Sequence, residues 1–214
     1  DARIVRIEYI EGNKEVFEYD ARGNVTKIEM VPKVGSGLAV SSINTVYPSA
    51  CTNFKTCNKP TRITDAKGNQ TDYTYAPEHG GILTETGPAV NGVRPQRRYT
   101  YGQHNAWIKS AGTVFVQVPD PIWLLTSESS CISSAATGNP ASPCAAGLSD
   151  EVRVSYVSEQ GSPTKGSNLP LLGMGVTAAD ETGQIVTRWT CYSYDDLGRK
   201  ISETGPSASL TECQ

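Results

Sequence analysis

Four aspartates head nearly the same phrase: Asp20-Ala21-Arg22-Gly23-Asn24, Asp65-Ala66-Lys67-Gly68-Asn69, Asp180-Glu181-Thr182-Gly183-Gln184 and Asp195-Asp196-Leu197-Gly198-Arg199. Carboxylates at such positions invite two chemistries. One is calcium ligation, which needs oxygen ligands at alternating positions of a loop. Here Ala, Arg, Lys or Leu intervene instead. The other is turn chemistry. The Asp bonds backbone two residues on, and the Gly three positions later takes a positive φ without a Cβ clash. The second reading accounts for all four copies.

Other residues with chemical capacity are few. His79 and His104 are the only histidines, and His79 lies beside Glu78 and Gly80-Gly81, where a base on a loop is conceivable. No Gly-x-Ser-x-Gly nucleophile signature surrounds any serine, so the expectation is a solvent-facing turn histidine and no enzyme. Nothing calls for a cofactor. The six cysteines are Cys51, Cys57, Cys131, Cys144, Cys191 and Cys213. A zinc site needs close Cys-x-x-Cys pairs, and none occurs. An even count in a loop-rich chain points to disulfides and an oxidising compartment. Six cysteines allow 15 pairings. The expected one is local: Cys51–Cys57, Cys131–Cys144 and Cys191–Cys213, each flanking a loop.

Aromatic residues offer a third possibility. Tyr73/Tyr75, Tyr99/Tyr101 and Tyr192/Tyr194 are i, i+2 pairs, so each pair shares one face of a strand. Cross-strand packing is the expected role; a sugar-binding surface with Trp107, Trp123 or Trp189 is the alternative, although Trp189 falls inside a repeat strand with a structural job available. The basic trio Arg94, Arg97 and Arg98 reads as a solvated strand edge, where charge discourages aggregation. Asn24-Val25-Thr26 and Asn69-Gln70-Thr71 match the glycosylation acceptor pattern at turn exits.

The elements that position these residues are strands. Glu15 to Tyr19 and Val25 to Met30 flank the first Asp turn; Thr187 to Tyr194 and Lys200 to Glu203 flank the last. Both sets alternate apolar and polar residues, the period-two mark of a half-buried strand. Arg3 to Ile10 adds a further strand, which predicts a three-stranded opening meander. The phrases Leu83-Thr84-Glu85-Thr86-Gly87-Pro88 and Ile201-Ser202-Glu203-Thr204-Gly205-Pro206 end strands, because proline cannot donate to a ladder. Further strands are expected at residues 113–118 and 151–158. Residues 127–150 and 159–173 read as long loops, with at most one helical turn between Ser130 and Ala146. No segment has the caps and period of a helix. The fold class is therefore all-β: antiparallel hairpin repeats with long disulfide-pinned loops.

The phrase Tyr-Asp-x-x-Gly-Arg/Asn followed by an alternating strand resembles the YD repeat of RHS proteins. Tyr19 to Ile28 and Tyr192 to Glu203 are the close copies, and Thr64 to Tyr75 is a third without its leading Tyr. The likeness covers both ends and the middle of the chain but not residues 105–175. In RHS and teneurin-like proteins such repeats imply a long β-sheet spiralling into a hollow shell. Bacterial members often enclose a C-terminal toxin domain; others are surface or secreted proteins. The resemblance thus implies that residues 1–214 form an extended, curled sheet, one YD-repeat segment of a longer array. Its partners would be flanking repeats or identical subunits met through edge strands, with a possible enclosed toxin domain.

Composition bounds the alternatives. A net charge of −3 argues against a general nucleic-acid binder. The 37% hydrophobic content suffices for a sheet with one wet face. No apolar run approaches a membrane span. The chain opens on Asp1 without an initiator Met or signal peptide. A processed or excerpted segment of an extracellular or cell-surface protein is expected, with any targeting sequence upstream.

Overall fold

The computed structural model describes residues 3–213 and is all-β, with antiparallel strand pairs throughout the described residues. Contacts divide the chain into two compact units, Asp1–Arg94 and Pro95–Gln214. The first unit holds β1 (Arg6–Glu8), β2 (Lys14–Tyr19), β3 (Val25–Val31), β4 (Ser41–Val46), β5 (Arg62–Thr64), β6 (Gln70–Tyr75) and β7 (Ile82–Thr86). Each pairs antiparallel with the next in sequence, so the unit is a simple meander. β1 is shorter than the alternation predicts, because Tyr9 and Asn13 close a turn through Tyr9 N to Asn13 O at 2.9 Å.

The second unit holds β8 (Gln96–His104), β9 (Trp107–Ala111), β10 (Val114–Gln117), β11 (Ile122–Cys131), β12 (Glu151–Ser158), β13 (Leu171–Ala179), β14 (Ile185–Tyr194) and β15 (Lys200–Thr204). Its main sheet runs β8-β11-β12-β13-β14-β15, while β9 and β10 form a separate hairpin. The sheets do not close into a barrel. Strands β7 and β15 both stop immediately before the Gly-Pro pairs that predict their ends.

The loop predicted over 127–150 begins later than its composition implies. Ser127 to Cys131 are polar but belong to β11, paired residue by residue with Ser155 to Glu151 of β12. Register with a neighbour outweighs the weak strand propensity of serine there. The helical turn expected between Ser130 and Ala146 lies instead at Leu148–Asp150, as a 3-10 turn.

Both units carry cross-strand hydroxyl pairs. Thr74 and Thr84 lie 2.6 Å apart, Thr100 and Ser127 2.6 Å, Thr177 and Thr187 2.7 Å, and Ser193 and Ser202 2.5 Å. Each is a directly opposed cross-strand pair, the unit of sheet stabilisation. The core is correspondingly thin. Among the described residues the buried apolar side chains are Cys57, Ala76, Cys144, Leu169 and Cys213. Three of them are half-cystines, one from each bridge.

Candidate functional site

The four Asp-x-x-Gly phrases share one geometry. In each, the Asp Oδ1 accepts backbone N–H bonds from two and four residues on: Arg22 and Asn24, Lys67 and Asn69, Thr182 and Gln184, Leu197 and Arg199, all at 2.8–3.0 Å. The Asp N–H donates to the carbonyl four residues on, and the Gly N–H returns to the Asp carbonyl. Gly23, Gly68, Gly183 and Gly198 hold φ of 91°, 86°, 83° and 75°. This is a type I turn closed by a left-handed glycine. The second Asp oxygen takes a side-chain donor where one is in reach: Asn24 at 2.8 Å, Asn69 at 2.9 Å and Arg199 Nε at 2.7 Å. These donors hold each carboxyl below its usual range. The leading cause is the Asn24 side chain for Asp20, the Asn69 side chain for Asp65, the Thr182 hydroxyl for Asp180 and the Arg199 N–H for Asp195. With both oxygens engaged in Asp20, Asp65 and Asp195, and Oδ1 taking three donors in Asp180, the carboxylates serve the turn. The amides of Asn24 and Asn69, the glycosylation candidates, are the same groups that cap the turns.

A tyrosine closes the opposite end of three hairpins. Tyr19 Oη donates to Ile4 O at 2.6 Å, Tyr75 Oη to Pro60 O at 2.8 Å and Tyr194 Oη to Leu171 O at 2.7 Å. In each case the last residue of a strand reaches the start of the strand before it. Burial pushes the Tyr75 phenol up to about 12, with Tyr73 and Tyr47 adding to it. The hydroxyl therefore stays a donor. The Tyr73 and Tyr75 rings stack, centroids 6.4 Å apart. Packing is thus part of the role of the tyrosine pairs. The hydroxyl clamp is a second part, and strand periodicity alone carries no trace of it.

The three disulfides join Cys51–Cys57, Cys131–Cys144 and Cys191–Cys213. Around the second, Asp150 accepts from Ser133 N (2.9 Å), Ser133 Oγ (2.7 Å), Ser134 N (3.0 Å) and Ser134 Oγ (2.5 Å). Those serine hydroxyls hold its carboxyl down at about 2. The Asp150 carboxylate lies close to the two sulfurs. Sulfurs joined to each other offer no thiolate to a metal.

Two of the basic trio, Arg94 and Arg98, turn inward and are not a solvated edge, whereas Arg97 is exposed on β8. Arg94 donates to Gly87 O, Thr86 O, Gln70 O and Asp72 Oδ2 at 2.6–3.1 Å, and Asp72 also meets Arg62 at 2.6 Å. Arg98 donates to Pro143 O at 2.6 Å and lies 3.4 Å from Glu151. Strand β8 is paired with β11 along most of its length. Arginine's fork of donors suits carbonyls that a turn leaves unsatisfied, so these two charges are drawn inward. The histidines are occupied locally: Gly81 N–H donates to His79 Nδ1, and His104 Nδ1 meets Gln160 Nε2, both at 3.0 Å.

The second unit contains a cleft of about 1090 Å³. One wall is Trp107 and Phe115 from the β9/β10 hairpin; another is Tyr192 and Asp196 from the end of β14 and its turn. The connecting segment 159–170 fixes the aromatic wall. Trp107 and Ser167 exchange backbone bonds at 2.9 and 3.0 Å, and Phe115 N donates to Pro163 O at 3.0 Å. Gly161 lies flat against the Trp107 ring and Gly166 against Phe115, where a Cβ would collide with each ring. Lys165 and Glu159 pair across the segment at 2.7 Å. Of the three tryptophans weighed from the sequence, Trp107 lines this cleft; Trp123, on β11 opposite Gln103, and Trp189, on β14 opposite Gly175, do not. Phe115, Glu159 and Lys165 escape a sequence reading. The available signal is the glycine spacing in a segment that otherwise reads as loop.

The sequence matches no protein-family model and no curated protein. What fold and site define is a class: an antiparallel, disulfide-bridged β protein of repeated Asp-Gly hairpins. No helix among the described residues is long and apolar enough to cross a membrane.

Proposed function

We propose that the chain is a non-catalytic structural segment of an RHS/YD-repeat protein, contributing strands to a larger extracellular or envelope-associated assembly. The observation that carries this reading is the pair of outer strands. Among the described residues β1 is registered only with β2, and β15 only with β14. A strand with one unpaired edge is a template for the next strand, and repeat arrays grow by such neighbour contacts. The thin core agrees with it. Ile201 on the outer strand β15 stands in solvent, as do Ile10, Val34 and Leu38 in the connections after β1 and β3. The partners are flanking repeats or identical subunits, and the three disulfides fit the oxidising compartment such an assembly occupies.

Light scattering and negative-stain imaging of oxidised protein test this, with hydrogen exchange on β1 and β15. The expected result is concentration-dependent association that slows exchange in those two strands. Regular filaments mean a polymer subunit; closed hollow particles mean a shell able to enclose a toxin. Ile201→Lys is expected to weaken association at unchanged melting temperature, since edge lysine opposes pairing. A strict monomer whose β1 and β15 amides are already protected overturns the reading.

A further inference from the structure

The cleft beside Trp107 has a composition that strand pairing does not explain. Its aromatic wall is held in place from behind: the glycines at 161 and 166 let backbone press on the Trp107 and Phe115 rings, and the Trp107–Ser167 backbone bonds fix the spacing. Aromatic side chains fastened in this way present rigid surface at the cleft. A second set of groups faces the same space. Trp107, Tyr192, Lys109 and Asp196 line the cleft, Lys109 and Asp196 exposed to solvent, and the indole N–H, hydroxyl, ammonium and carboxylate they carry make no side-chain hydrogen bond among the described residues. The other charges there are already neutralised, Lys165 by Glu159 at 2.7 Å and Asp195 by Arg199 at 2.7 Å. The unspent charge is one ammonium and one carboxylate, which cancel.

Each feature narrows the ligand. A cation held in an aromatic cage would want a surplus of negative charge; an anion would want the reverse. Balanced charge selects a neutral molecule. Donors and acceptors set beside aromatic faces select one whose surface alternates hydroxyls with C–H groups. Hydroxyls use both kinds of partner, and weakly positive C–H groups stack on the negative face of a ring. The volume, about 1090 Å³, is slightly above the range of roughly 300–1,000 Å³ usual for ligand clefts. That is room for a chain of sugar rings rather than one. We infer that this cleft binds a short neutral oligosaccharide, stacked on Trp107 and Phe115 and hydrogen-bonded by Tyr192, Lys109 and Asp196. The inference is independent of edge-strand assembly: a monomer binds sugar equally well.

Isothermal titration of the oxidised protein with cellotriose, maltotriose and N-acetylchitotriose tests it, alongside tetramethylammonium chloride as a cationic probe. At least one trisaccharide is expected to bind at millimolar concentration or below and to change tryptophan fluorescence. Trp107→Ala is expected to weaken binding by about tenfold or more. Because Trp107 also packs on Gly161, Asp196→Asn and Tyr192→Phe are the companion variants. Each removes one hydrogen-bonding feature without touching packing, and each is expected to weaken binding about threefold to tenfold at unchanged melting temperature. Trp123→Phe, outside the cleft, is expected to leave affinity unchanged. No binding by any trisaccharide overturns the inference. So does binding of tetramethylammonium in place of sugar, or sugar binding that Asp196→Asn and Tyr192→Phe both leave intact.

Discussion

At the scale of single residues, aspartate oxygen is the organising group. Asp20, Asp65, Asp180 and Asp195 each satisfy two backbone donors that a tight turn would otherwise leave unpaired, and Asp150 does the same for the Ser133–Ser134 bend. All five carboxyls are held below the ordinary value of 3.8, Asp150 at about 2. A depressed folded value means the carboxylate stabilises the fold above the unfolded value and ceases to do so as pH falls through the folded one. Resistance to urea is therefore expected to drop as pH is lowered from about 4 towards 2. Asp150→Asn is expected to be less stable at neutral pH and to show a shallower drop. Denaturation midpoints across that range check both. The glycines make a separate prediction. Gly68 and Gly198 have open space where a Cβ would go but φ of 86° and 75°. Alanine there is expected to cost about 1–2 kcal/mol, from backbone strain alone, read by equilibrium denaturation. This much was legible in the sequence, because Asp and Gly at fixed spacing act on their own neighbours. Asp150 was not legible: its partners lie 16 and 17 residues away and are ordinary serines.

At the scale of elements, the bridges take the place of packed apolar layers. Cys213 sits over Gly173, whose absent side chain makes room for its sulfur; a Cβ there would also come within 2.5 Å of Thr190 O. Gly173 is the register partner of Cys191, so the bridge lies directly across the β13/β14 ladder. Gly173→Ala is expected to destabilise the protein by about 1–3 kcal/mol through overpacking. Removing the bridge by Cys191→Ser with Cys213→Ser is expected to cost about 3 kcal/mol for a loop of this length. Hydrogen exchange should place the loosening at β14 and β15. Local pairing of the cysteines was legible because the members of each pair are neighbours in the cysteine order, two pairs closing a loop and the third folding the segment after β15 back onto β14. The inward turn of Arg94 and Arg98 was not, since a cluster of charges reads the same on paper whether it faces water or a ring of carbonyls. Trp107 stood out by residue type; the segment holding it in place contributes only glycines and backbone.

At the scale of the whole molecule, each unit carries its own bridges: Cys51–Cys57 in Asp1–Arg94, the other two in Pro95–Gln214. The expectation of a single sheet segment came from repeats at both ends of the chain. The repeats say nothing of the break after Arg94, which falls between two strands. Fragments 1–94 and 95–214, made separately and oxidised, are each expected to show β-sheet circular dichroism with native bridges by mass spectrometry; a fragment that stays unfolded rejects their autonomy. The tyrosine hydroxyls of Tyr19, Tyr75 and Tyr194 have a mechanical consequence. A hairpin bonded only by its ladder opens like a zip, from the free end, one rung at a time. A hydroxyl fastened across that free end means that a pull must break the fastening before any rung gives way. Such hairpins yield to tension late and abruptly.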